Sequence, residues 1–187
     1  MIPVVCTAPL NAELINEFLV ETYDNYPEAA QSLVILTTLD WTHYDNDEAQ
    51  LTPDEARKQK SKVFAYGGGP MKVPSRPLWT TNFSSPFEGK APEDVARFLK
   101  KAEDAPGHLD RRYCAILDKQ SEKDRSVLLV KTKRSEGDNL PSECKYWEIV
   151  KLREEWKEAN AVLQSASVGV SSLEEILWNQ YSDKQRS

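Results

Sequence analysis

Cysteine, glycine and histidine are scarce in this 187-residue chain, with three, seven and two copies. Cys6, Cys114 and Cys144 are odd in number, widely spaced and in no Cys-x-x-Cys pair, which argues against a disulfide framework and a zinc site and predicts free thiols in a reducing compartment. So few glycines, with eleven prolines, exclude fibrous and linker-like classes. Apolar runs such as Leu33-Val34-Ile35-Leu36 fall far short of the roughly 20 residues that cross a bilayer. The opening residues have no basic stretch and meet Glu13 early, unlike a secretory signal. The expectation is a cytoplasmic protein with no membrane association. Basic residues are in deficit, 24 Lys+Arg against 30 Asp+Glu for a net charge of −6, so a binder of nucleic-acid phosphates is excluded as a first choice. Gly-x-Ser-x-Gly, His-Glu-x-x-His and the Rossmann glycine fingerprint are missing too, and with them the commonest hydrolase, zinc-protease and dinucleotide classes.

What is present suits one ordinary globular domain, because 40% hydrophobic and 29% charged residues are enough to build a core and still keep a solvated surface. The acidity is local. Residues 1–66 hold 4 Lys/Arg against 11 Asp/Glu, a balance of −7, whereas residues 67–187 hold 20 against 19. An acidic N-terminal face follows from that split.

Residues 2–6 and 33–36 read as buried strands, joined by a helix capped by Asn11 with Leu14, Ile15, Phe18, Leu19 and Tyr23 on one face. Thr52-Pro53-Asp54-Glu55 opens a further helix to about Lys62. Residues 67–77 contain Gly67, Gly68 and Gly69 and then three prolines, and read as a connector or lid. A strand at Leu78–Thr81 precedes a helix opened by Pro92-Glu93-Asp94, with Val95, Phe98, Leu99 and Ala102 inward. Tyr113–Leu117, Val127–Lys131 and Tyr146–Leu152 read as antiparallel strands, since the polar segments between them are short. Two helices follow, the first lined by Trp156, Ala159 and Leu163 and the second opened by the box Ser172-Leu173-Glu174-Glu175, with 183–187 as a frayed tail. The fold expected is α/β, a mixed sheet of about six strands with an antiparallel C-terminal part, flanked by helices. Its parts are 1–66, the 67–77 connector and 78–182.

Thr80-Thr81-Asn82-Phe83-Ser84, Ala115-Ile116-Leu117-Asp118, Leu128-Leu129-Val130, Trp147-Glu148-Ile149-Val150 and Asn160 with Leu163 and Ala166 resemble the pattern of a small uncharacterised α/β domain family. The resemblance spans 79–178. It implies a domain type and no activity. Asn82 stands where that family tends to carry an acidic residue, and 133–144 reads as an insertion.

Two function classes remain. The preferred one is an intracellular protein-interaction or ligand-binding domain whose acidic face meets a basic protein partner or a small organic ligand, or whose aromatic surface supports a homodimer. Trp41 and Trp178 are its exposed aromatic candidates. The alternative is a small cofactor-independent isomerase, cyclase or hydrolase. In Asp40-Trp41-Thr42-His43-Tyr44-Asp45, directly after a strand, His43 would act as general base with Asp40 or Asp45 orienting it. Tyr44 would donate to an oxyanion and Trp41 would form a wall. Gly67, Gly68, Gly69 and Arg76 would belong to a lid; Pro70, Pro74 and Pro77 forbid the helix that a phosphate loop needs. Asp45-Asn46-Asp47 lacks the glycine and final glutamate of a calcium loop. No metal or cofactor is expected.

Overall fold

A computed structural model describes residues 1–25, 32–41, 84–132 and 149–186, with backbone alone for residues 181 and 183–186. The expected helix at 52–62, the connector 67–77 and the strand Leu78–Thr81 lie outside the described residues.

β1 (Ile2–Cys6), α1 (Ala12–Asp24) and β2 (Leu33–Ile35) form the β-α-β opening. After them come α2 (Pro92–Lys101), β3 (Tyr113–Leu117), α3 (Lys119–Asp124), β4 (Ser126–Lys131), β5 (Val150–Glu155), α4 (Trp156–Ser167) and α5 (Leu173–Arg186). One mixed sheet of five strands, in the order β2-β1-β3-β4-β5, carries them. β1 runs parallel to both β2 and β3, and β4 pairs antiparallel with both β3 and β5, the arrangement expected for the C-terminal strands. The last strand, expected over Tyr146–Leu152, runs over Val150–Glu155, with residues 146–148 outside the described residues.

β1 contains a proline and still sits inside the sheet. The amide of Ile2 and the carbonyl of Val4 both bond toward the β2 side, so Pro3 faces β3, whose pairing begins only at Val4. No ladder donor is lost there.

Strand side chains alternate between two apolar layers. Ile2, Val4, Cys6, Ala115, Leu117, Val127 and Leu129 pack under α1, α4 and Leu173 of α5. Val5, Val34, Leu36, Cys114, Ile116 and Val130 pack under α2 and Phe87. Each valine, leucine, isoleucine or phenylalanine among them contributes about 1.5–3 kcal/mol on burial. Leu33 to Leu36 are buried without exception, the expectation for a strand covered on both faces.

Local signals set the ends of the helices. The Asn11 side chain accepts from the Leu14 amide at 2.8 Å. Ser172 and Glu175 cap each other, the Glu175 amide donating to the Ser172 hydroxyl and the Ser172 amide to the Glu175 carboxylate. Asp118 caps the short α3, accepting from Gln120 and Ser121. Arg125 closes that helix in the left-handed region, φ 54°.

α5 is fastened by a buried ion pair. Lys131 Nζ of β4 lies 2.5 Å from Glu174 Oε1, with side chains 4% and 0% exposed. Glu174 Oε2 has no hydrogen-bond partner among the described residues. Removing one partner of such a pair strands a charge and costs about 3–5 kcal/mol, whereas an apolar replacement of both is close to neutral. In urea denaturation Lys131→Met should therefore lose about 3–5 kcal/mol, and Lys131→Met with Glu174→Leu should recover most of it. A double variant as unstable as the single one would contradict this reading.

Candidate functional site

The chain leaves β1 through α1 to β2 on one side, then returns through α2 on the opposite layer to β3 on the other side. The carboxyl ends of β1 and β3 thus mark the topological switch point, where open α/β sheets form a crevice. Ala8, Pro9, Leu10 and Asn11 face Ser84, Ser85 and Glu88 across a cavity of about 520 Å³. The second wall is sewn to the first: the Gly89 amide donates to the Thr7 carbonyl at 2.9 Å. Gly89 does so at φ +73°, a conformation a side chain would strain.

Two cysteines and one aspartate of the neighbouring strands have settled protonation states. Burial pushes the Cys6 thiol up to about 12, so it is protonated at neutral pH and a poor nucleophile. Cys114 behaves alike, and both are free and buried. At the end of β3, burial raises the Asp118 carboxyl, but hydrogen bonds from Arg153 and Ser121 outweigh it and hold it below the usual carboxylate range. Arg153 of β5 reaches Asp118 Oδ2 at 2.6 Å and Oδ1 at 3.1 Å.

Of the residues singled out in the sequence, His43, Tyr44, Asp45, Gly67, Gly68, Gly69 and Arg76 lie outside the described residues, as do Cys144, Trp79 and Trp147. Asp40 is exposed beyond the carboxyl end of β2, and its amide donates to the Thr38 hydroxyl. Trp41 stacks on Phe98 of α2, centroids 5.4 Å apart, and packs against the α2-side core. Trp178 is 37% exposed on α5, in the other layer. The structure does not bring the two tryptophans together.

A second site lies on α1. Its buried residues, Ile15, Phe18, Leu19, Thr22 and Tyr23, hold one side of the helix. The opposite side carries Glu13, Glu17, Glu21 and Asp24 around the exposed Val20. These positions recur every three or four residues and so form a single stripe. The stripe borders an open groove of about 960 Å³, closed by Arg125 from the α3–β4 junction and Lys157 of α4. Arg125 bridges Glu17 and Glu21, each at 2.9 Å. Its guanidinium also lies 4.9 Å from the ring centre of Trp156, a cation–π contact. Among the described residues neither Glu13 nor Asp24 has an ion-pair partner. The carboxylates were visible in the sequence as local acidity, and their helical spacing could have located the stripe. Arg125, 104 residues from Glu21, gave no local signal.

Comparisons of the chain with protein-family models, with curated proteins and with solved structures find no match. Within the segment that resembles a small α/β domain family, Ala115–Leu117 belong to β3, Leu128–Val130 to β4 and Asn160, Leu163 and Ala166 to α4.

Asp118 gives a pH prediction. Its folded pKa lies below the unfolded value of about 3.9, so its contribution is present above that pH and is lost as pH falls through the folded value. Asp118→Ala loses both cap and ion pair and should cost about 1–2 kcal/mol at neutral pH. Asp118→Asn keeps a capping oxygen, should cost less, and should flatten the fall in stability below about pH 4. Denaturant melts across acid pH check this; an unchanged acid limb in Asp118→Asn would refute the assignment.

Proposed function

We propose that this chain is a protein-interaction domain that receives a basic segment of a partner along the outer stripe of α1. The observation carrying this reading is the stripe itself, with four carboxylates on one helix face around an exposed valine, beside a groove. Interfaces of this type combine an apolar contact with a charged rim that steers encounter.

The arrangement divides the labour among the carboxylates. Arg125 neutralises the centre at Glu17 and Glu21, while Glu13 and Asp24, about one turn away at either end, offer charge to an incoming lysine or arginine. The Arg125 pairs are half exposed, at 53% for Arg125 and 44% for Glu17. Such pairs add little stability and exchange partners readily. A cytoplasmic setting suits the free thiols of Cys6 and Cys114.

Binding of a labelled lysine-rich peptide with spaced leucines, followed by fluorescence anisotropy, tests the reading. Glu13→Lys with Asp24→Lys should weaken binding by about tenfold or more, and added salt should weaken binding to the native chain. Glu103→Lys with Asp104→Lys, a matched charge reversal on an exposed turn after α2, should leave affinity within about twofold. Equal losses in the two double variants would show general charge attraction and remove the basis for a site on α1.

A further inference from the structure

A second surface, independent of α1, lies at the other end of the sheet. Before β3 and after α2 the chain frames a cavity of about 650 Å³, lined by Lys100, Pro106, Leu109, Asp110, Arg111 and Arg112, with Ser167 of α4. Three cationic side chains face one carboxylate in a molecule whose net charge is −6. That carboxylate is already committed: Asp110 accepts from Arg112 at 3.1 and 2.9 Å and from the Ser167 hydroxyl. Burial raises its pKa, and hydrogen bonds from Arg112 and Ser167 outweigh this and lower it. Arg111 is tied by its guanidinium to the Ala102 carbonyl. The acidic Glu103 and Asp104 sit on the adjoining turn and do not line the cavity. Pro106 and Leu109 on its lining are buried.

An apolar tip adjoins this basic cavity. Val168 and Val170, at 74% and 78%, are the most exposed of the large hydrophobic side chains among the described residues. They follow Ser167 directly, on a bend where Gly169 takes φ +78°. The tip is held beside the cations, because Arg112 donates to the Ser167 carbonyl at 2.9 Å.

We propose that this end of the sheet docks an acidic peptide segment that also carries apolar side chains, its carboxylates meeting Lys100, Arg111 and Arg112 and its apolar residues covering Val168 and Val170. Charge complementarity selects an anion. The two exposed valines select a chain that brings apolar surface with its charge, which a small anion lacks. A concave pocket selects a segment that enters it over a lipid headgroup plane, which is flat.

The test uses the full chain and a labelled peptide of alternating glutamate and leucine. Lys100→Glu and Val170→Asp, both at exposed positions, should each weaken its binding by about tenfold, with melting temperatures as a folding control. A matched reversal elsewhere, Lys119→Glu with Lys123→Glu at exposed positions of α3, should leave this affinity within about twofold. Peptide binding that ignores both Lys100→Glu and Val170→Asp overturns the proposal. So does displacement of the peptide by inorganic phosphate alone with no effect of Val170→Asp, which marks a small-anion site. Sedimentation with anionic vesicles and no peptide binding overturns it in favour of a lipid surface.

Discussion

Trp156 holds together the parts on which the rest of the structure depends. It stands at the junction of β5 and α4, fully buried, with its indole N–H donating to the Ser126 carbonyl at 2.9 Å. Its backbone amide donates to the Arg125 carbonyl and its own carbonyl accepts from the Thr22 hydroxyl. Phe18 of α1 meets its ring edge-on, centroids 5.8 Å apart. One residue thus joins α1, the α3–β4 turn, β4 and α4. Because every polar group on it is paired in a dry environment, loss of any contact exposes an unsatisfied partner.

The same residue links the core to the surface. Its ring carries the Arg125 guanidinium, and Arg125 in turn bridges Glu17 and Glu21. α1 has no basic side chain of its own; among the described residues the cations beside its acidic stripe, Arg125 and Lys157, come from distant parts of the chain. The molecule is therefore electrically uneven. Acid gathers on the outer side of α1, and base at the amino ends of β1 and β3, where Lys100, Arg111 and Arg112 meet. Uneven fields of this kind steer partners in particular orientations.

Much of the fold was legible in the residues. The branched runs of β1 to β4, the cap at Asn11, the box at Ser172 and the inward faces of α1, α2 and α4 are local patterns, and each reports its own element. The short helix after Asp118 gave no signal, because Lys119, Gln120 and Ser121 have no apolar periodicity; it is held by its cap and by Arg153 from β5, a long-range contact. The candidate site was legible only in part. Excess acid in the first third was plain, yet Arg125, Lys157 and Trp156, which shape the groove, come from the far end of the chain. Trp41, expected as an exposed aromatic, is partly buried on Phe98 of α2, a contact 57 residues away in sequence that no local pattern announces.

The central claim is that α1 is a binding face built on the Trp156–Arg125 contact. Amide and indole chemical shifts recorded while a lysine-rich peptide is added test it most directly. The account predicts saturable shifts confined to Glu13–Asn25, Arg125 and the Trp156 indole N–H, the last because a moving guanidinium alters the ring environment. Shifts centred on the crevice at Ala8–Asn11 and Ser84–Glu88, or small shifts scattered over the whole surface, would contradict it.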